Sequence, residues 1–188
     1  LDAIDLRSLT VVCGCGGGDA VRAVLPQVLS RAPHLVLDAD ALNAVAADTG
    51  LRALGLARAG RQLATVLTPH PLEAARLLGS DAAAVQSDRL AAARQLADAL
   101  GCTAVLKGSG TVVAAPGQIP VLNLTGNARL GTAGTGDVLA GLVAAHLAAG
   151  HNAFQAACAA VHQHGQSADD WPDGEALTAG TLARRLRV

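Results

Sequence analysis

Short, unbroken apolar runs recur along this sequence, each closed by glycines or a polar cluster and followed by an amphipathic stretch. Leu9–Cys13 (LTVVC), His34–Leu37 (HLVL), Gln62–Leu67 and Thr103–Leu106 are such runs. Runs this short and continuously apolar read as strands buried on both faces. Helices fit between them: after Gly14–Gly18 through about Ser30, from about Ala41 to Ala47, after Pro71 through Leu78, and from a cap at Ser87 or Asp88 to Gly101. Such alternation predicts an α/β fold with a mainly parallel sheet covered by helices, because parallel neighbours need a crossover between them. The pattern changes after Leu106. Lys107–Gly110 reads as a tight turn into Thr111–Ala115, and Pro116-Gly117 turns the chain into Ile119–Leu124, giving antiparallel strands at one side of the sheet. Helices follow over Asp137–Ala149, Ala153–Ser167 and Ala179–Leu186. With 188 residues and no repeat or linker, one domain over residues 1–188 is expected.

Composition removes several classes of function. A net charge of −1 with no basic run offers no electrostatic footprint for nucleic acid or an anionic membrane. One Trp, one Phe and no Tyr leave no stacking platform for single-stranded nucleic acid. The most apolar stretch, Val138–Gly150, is too short to cross a bilayer and contains His146. No signal-peptide pattern opens the chain, so a cytoplasmic protein is expected. Cys13, Cys15, Cys102 and Cys158 lack zinc-site spacing and read as reduced thiols.

In open α/β sheets, ligands bind outside the carboxyl ends of the strands. Gly14–Gly18, Asp38–Asp40, Thr68–Pro71 and Lys107–Gly110 all fall at such ends, and Gly131–Asp137 (GTAGTGD) joins them directly before a helix. In that last segment, glycines let the backbone turn its N–H groups inward, and the helix start adds unpaired donors and partial positive charge. Gly134, Thr135 and Gly136 are thus a candidate anion hole for a phosphate. It is not a Walker A loop, since no Lys-Ser/Thr follows the last glycine. Asp137 is the unusual member. It reads either as a first-turn acid complementing the helix dipole or as a base that deprotonates a hydroxyl beside a bound phosphate.

The other strand ends carry weaker signals. Gly14, Gly16, Gly17 and Gly18, with Asp38, imitate a dinucleotide fingerprint, but Asp19 stands where its third glycine would be. The glycines read as close backbone approach to a ligand, or as a plain tight turn. Asp38 and Asn43 are possible ligand contacts, Asp38 being otherwise a solvated carboxylate, and Asp40 reads as a helix N-cap. His70 is held between prolines with Glu73 on the next turn, which suits a ligand contact. Lys107 reads as a phosphate contact or a snorkelling surface lysine. His162 and His164 lie about 200° apart at about 100° per residue of helix and form no metal pair.

In this order, LVLDADALN (Leu35–Asn43), VLTPHPLEAARLLG (Val66–Gly79), AVLKGSGTVVAAP (Ala104–Pro116) and NLTGNARLGTAGTGDVLAGLVAAHLAAG (Asn123–Gly150) resemble the NAD(P)H-hydrate dehydratase family. This is the carbohydrate-kinase-like domain of the ribokinase superfamily. The resemblance runs from Leu9 onward and implies a ribokinase-like three-layer fold. It also implies dehydration of hydrated NADH or NADPH at the expense of ADP, or of ATP, with Mg²⁺ on the nucleotide phosphates and no metal held directly by the protein. By the same resemblance, Asp137 is the base, and Lys107, Gly108, Ser109, Gly110, Thr111 and Gly136 contact the nucleotide. Gly16, His70 and Asp137 contact the hydrate, Asn127 belongs to the pattern without an assigned role, and the protein is a homo-oligomer, a tetramer in related members.

Two departures stand out. The family's GPGLG-like turn is Gly14-Cys-Gly-Gly-Gly18 here, and the family's segment before the first strand is expected to be missing. The chain begins at Leu1 and holds no Met, so it is expected to be an N-terminally shortened member. Rival expectations are a small-molecule kinase of the same superfamily and a non-catalytic nucleotide-binding domain.

Overall fold

A computed structural model describes residues 4–188. Six strands, β1 (Thr10–Cys13), β2 (His34–Leu37), β3 (Ala64–Leu67), β4 (Thr103–Leu106), β5 (Val112–Ala114) and β6 (Val121–Leu122), form one sheet in sequence order. β1 to β4 are parallel, and β5 and β6 add antiparallel to them. Alternation along each strand splits the core into two layers. Leu35, Leu37, Leu67, Ala104 and Leu106 face one way, against α1 (Val21–Arg31), α2 (Ala39–Ala47), α4 (Pro71–Leu78) and α6 (Arg89–Leu100). Val36, Val66, Val105 and Val113 face the other way, against α7 (Thr135–Ala148) and α8 (Ala153–Asp169). Side chains of period two thus bury both faces, giving the three layers expected. Among the described residues no helix is long and apolar enough to cross a membrane.

The expected strands are all present, four of them trimmed: β1 by one residue, β5 by one at each end, and two others more deeply. Gln62 has φ +56 and belongs to the turn before β3, and the strand expected over Ile119–Leu124 pairs only at Val121–Leu122. Two helices had no counterpart in the sequence pattern: α3 (Thr49–Gly60) and α5 (Ala82–Ser87). The α3 segment contains Gly50, Gly55 and Gly60, which lower helix propensity. It also buries a charged residue where an apolar one would mark the inner face. Asp48 caps it, accepting from the N–H groups of Gly50 and Leu51.

That charged residue, Arg58, is 1% exposed. Its guanidinium donates to the carbonyls of Leu29 and Ala32 (both 2.8 Å), the carbonyl of Ala64 (3.1 Å) and Thr65 Oγ1 (2.7 Å). Burial, with nearby Arg61, pushes its pKa down to about 10, so it remains charged at neutral pH. It ties the end of α1 to the start of β3 from beneath the sheet. Arg58→Met is expected to leave these acceptors unpaired and to cost at least ~3 kcal/mol of stability, read from a urea midpoint. A loss below ~1 kcal/mol would show that water replaces the guanidinium.

Candidate active site

Hydrogen bonds just past the strands carry the sheet's register into the loops. Asp38 N–H donates to the Cys13 carbonyl (3.0 Å), Thr68 N–H to the Leu37 carbonyl (3.1 Å) and Lys107 N–H to the Pro69 carbonyl (2.8 Å). The four strand-end segments therefore meet along one edge, as the sequence pattern implied. Gly14 makes the closest approach. At φ +118, a Cβ there would lie 1.8 Å from the Asp38 carbonyl oxygen. The closeness expected toward a ligand is, at Gly14, toward the protein's own backbone. Gly16 (φ +63) is exposed with open space around it, so a substrate can approach its backbone.

The carboxylates depart from expectation. Asp38 is 1% exposed rather than solvated, and Lys107 Nζ donates to its Oδ1 at 2.7 Å. Lys107 is no snorkelling surface lysine either. It stands 4.0 Å from Glu73 Oε2, and a Cβ on Gly136 would lie 3.5 Å from its ammonium. Asp38 itself occupies the N-cap position of α2 without a side-chain cap bond, and Asp40 sits in the first turn. The Asp40 carboxylate accepts from Gly18 N–H at 2.7 Å, pinning the glycine turn instead of capping the helix.

Cys15, Asp38 and Asp137 converge, with Sγ and one carboxylate oxygen of each acid all within 4.8 Å of one another. The thiol donates to Asp38 Oδ2 at 3.8 Å. Its pKa is pushed up to about 12 by burial first, then by the negative charges of Asp38 and Asp137. Cys15 is therefore expected to alkylate slowly at pH 7–8, followed by peptide mapping. Asp137→Asn should speed that reaction by about tenfold for each unit the thiol pKa falls. An unchanged rate would mean that Asp137 does not face the thiol.

Gly134 (φ +84) is the N-cap of α7, placing Thr135, Gly136 and Asp137 in its first turn. The N–H groups of Gly136 and Asp137 therefore have no acceptor within the helix. Asp137 is exposed, and Thr135 is buried with its hydroxyl directed at the carbonyls of Leu130 and Thr132. Beside this helix start lies a cavity of about 630 Å³, lined by Lys107–Thr111, Asn123–Ala128, Thr135, Gly136, His164 and Gly165 among others. Its volume suits a nucleotide-sized ligand. Asp137 does not line it and lies by Cys15 and Asp38. One helix start thus adjoins both a cavity and a carboxylate cluster, with Lys107 between them.

The remaining predicted residues have definite partners. His70 Nδ1 accepts from the N–H groups of Leu72 and Glu73, and Glu73 Oε2 accepts from His70 N–H, so the imidazole caps α4. Its Nε2 faces Glu73 Oε1 at 3.3 Å while the side chain stays 47% exposed. Asn43 Oδ1 accepts from Arg76 at 2.7 Å, which links α2 to α4. Asn127 lines the cavity and anchors it, with Nδ2 donating to the Ala168 carbonyl (2.9 Å) and Asp169 Oδ1 (3.1 Å).

Sequence patterns missed the part of the cavity wall supplied by α8. Asn123 Nδ2 donates to the Val161 carbonyl at 3.3 Å, and Thr125 Oγ1 donates to the His162 carbonyl at 3.0 Å. Gly165 admits this loop, since a Cβ there would come within 2.6 Å of the Thr125 backbone carbonyl carbon. His164 Nε2 lies 3.0 Å from the Thr135 carbonyl, so that nitrogen carries the proton. Burial pushes its pKa down, which favours the neutral ring beneath the start of α7. A glycine inside a helical pattern was the one available signal.

Known proteins resemble this chain in sequence and fold. The family model described as NAD(P)H-hydrate dehydratase matches residues 4–187. The chain belongs to this family. It is 45% identical over 184 residues to the ADP-dependent (S)-NAD(P)H-hydrate dehydratase of Neisseria meningitidis serogroup B, covering 97% of this chain and 61% of that protein. The ADP/ATP-dependent NAD(P)H-hydrate dehydratase of Bacillus subtilis, co-crystallised with ATP and Mg²⁺, superposes with a TM-score of 0.74 at 28% identity. That match covers 95% of this chain and 65% of the Bacillus chain. A ribokinase-like superfamily protein of Enterococcus faecalis V583 gives a TM-score of 0.72 at 25% identity, covering 93% of this chain and 60% of its own. The three-layer fold is therefore ribokinase-like.

Proposed function

We propose that the protein carrying this chain uses ADP, with ATP as an alternative donor, to dehydrate the S-form of hydrated NADH or NADPH, releasing AMP and phosphate. The observation that carries this reading is Asp137, in the first turn of α7 between the cavity and the Cys15–Asp38 cluster. The cavity takes the nucleotide, and Gly136 with its neighbours turns N–H donors toward the terminal phosphates. Asp137 accepts the proton of the hydrate's ring hydroxyl, and that oxygen attacks the terminal phosphoryl group. The ring nitrogen's lone pair then expels phosphate to leave an iminium, and loss of a proton from the neighbouring ring carbon to solvent restores the carbon–carbon double bond and the nitrogen's lone pair.

Lys107 and the helix start favour the charge building on the transferred phosphoryl group, and positioning dominates such transfers. Gly16 and the exposed face of His70 lie on the hydrate's side. The Asp38 carboxylate is engaged by Lys107. That donor set fits a Mg²⁺ ion carried by the nucleotide's own phosphates better than one caged by protein oxygens. When bound, the ion neutralises phosphate charge.

The test is incubation of the full-length protein with hydrated NADH, Mg²⁺ and ADP or ATP. The expected result is inorganic phosphate together with recovered absorbance of the reduced nicotinamide. A stable phosphate ester from an alcohol substrate, with hydrate inert, would replace this reading with a small-molecule kinase.

A further inference from the structure

The Lys107–Gly110 turn is held from behind by a residue that no motif marks. Asp88 caps α6, and Arg89 is the first residue of that helix. Its Nη2 donates to the carbonyl that ends β4, Leu106 at 3.0 Å, and to two carbonyls of the turn, Lys107 at 3.3 Å and Gly110 at 3.2 Å. Its Nη1 donates to Gln86 Oε1 at 2.7 Å, which fixes the plane of the guanidinium. The contact is close, since a Cβ on Gly108 would sit 3.2 Å from both terminal nitrogens. Arg89 does not line the cavity, whereas Lys107–Thr111 do.

A trans peptide points its N–H opposite its C=O. Drawing the carbonyls of Lys107 and Gly110 toward Arg89 therefore turns the N–H groups of Gly108 and Thr111 away from it, toward the cavity side. A planar, forked guanidinium can hold several carbonyls in one arrangement, which a lysine ammonium on a flexible stem does less well. The glycines make the turn pliable without this staple, with φ +141 at Gly108 and φ +66 at Gly110.

We propose that Arg89 is a positioning residue for nucleotide binding: it grips the carbonyls of the Lys107–Gly110 turn so that the turn's N–H groups face the nucleotide's phosphates. This rests on the reading that the cavity takes ADP. It predicts that Arg89 governs nucleotide affinity and leaves the hydrate side untouched, because Cys15 and Asp38 stand on other strand ends and Asp137 on the start of α7.

The experiment compares wild type, Arg89→Lys and Arg89→Met in the full-length protein. ADP affinity is measured by titration calorimetry, and KM for ADP, KM for the hydrate and kcat by steady-state kinetics. Arg89→Met is expected to weaken ADP binding by about 10–100-fold, the loss of one or two charged hydrogen bonds' worth of organisation. KM for the hydrate and kcat at saturating ADP should stay within about threefold. Arg89→Lys, which keeps the charge and a shorter reach, should recover part of the affinity and serves as the reporter if the Met variant does not fold. Unchanged ADP affinity in a folded variant overturns the role, as does an equal loss toward both substrates. A wild-type protein that binds no ADP overturns the reading of the cavity as well, which separates the two failures.

Discussion

Asp137→Asn is expected to lower kcat for hydrate dehydration by about 10²–10⁴-fold, the range for loss of a placed general base. The amide matches the carboxylate in size, and the exposed side chain carries no core packing, so the fold is expected to persist. Removing a negative charge from the first turn of α7 forfeits only about 0.3–1 kcal/mol of dipole complementarity. Nucleotide affinity should hold or rise slightly, because the carboxylate stands beside the site where phosphate charge collects. The measurement pairs phosphate release with recovery of reduced-nicotinamide absorbance, alongside ADP titration of the same variant. Turnover that survives in Asp137→Asn would remove Asp137 from the role of base. Equal loss of ADP binding and turnover would instead make it a structural element of the helix start.

Gly14→Ala is expected to be the most damaging small substitution near the site. Its backbone, at φ +118, is one that L-residues rarely adopt, and the added methyl would lie 1.8 Å from the Asp38 carbonyl oxygen and 2.8 Å from Ala41 N. Both neighbours are backbone and cannot swing aside, so β1 and β2 must separate at their carboxyl ends. Left-handed strain and overpacking together should cost about 3–5 kcal/mol. Activity should fall further than stability, because Asp38 and its bond to Lys107 move with that carbonyl. Gly16→Ala is the control: it has φ +63 and nothing within 4 Å, so strain of about 1–2 kcal/mol is all it should lose. Urea midpoints of the two variants decide the matter, and equal losses would refute the close-approach account of Gly14.

The candidate site was legible where its geometry is local to a few consecutive residues. A glycine-rich segment running into an apolar helix specifies unpaired N–H donors whatever surrounds it, and Asp137 follows in the first turn of that helix. The strand ends could be placed because short apolar runs and turn residues fix where each strand stops. Elements with mixed signals were not legible. The three glycines of α3 and its buried Arg58 hide a helix whose stability comes from the carbonyls it meets on α1 and β3.

What the sequence determined by itself was the α/β layering, the order of the strand-end loops and which residues are candidates for a phosphate contact and a proton acceptor. Backbone conformation and side-chain period are set by near neighbours along the chain, so these features follow from local pattern. Tertiary structure alone decided who partners whom. Lys107 reaches Asp38, 69 residues earlier in the chain; Arg89 grips a turn 17 to 21 residues ahead; and Gly165 of α8 opens the wall for Thr125. Such pairings depend on how helices and strands are packed in space, and a one-dimensional period carries no record of that distance.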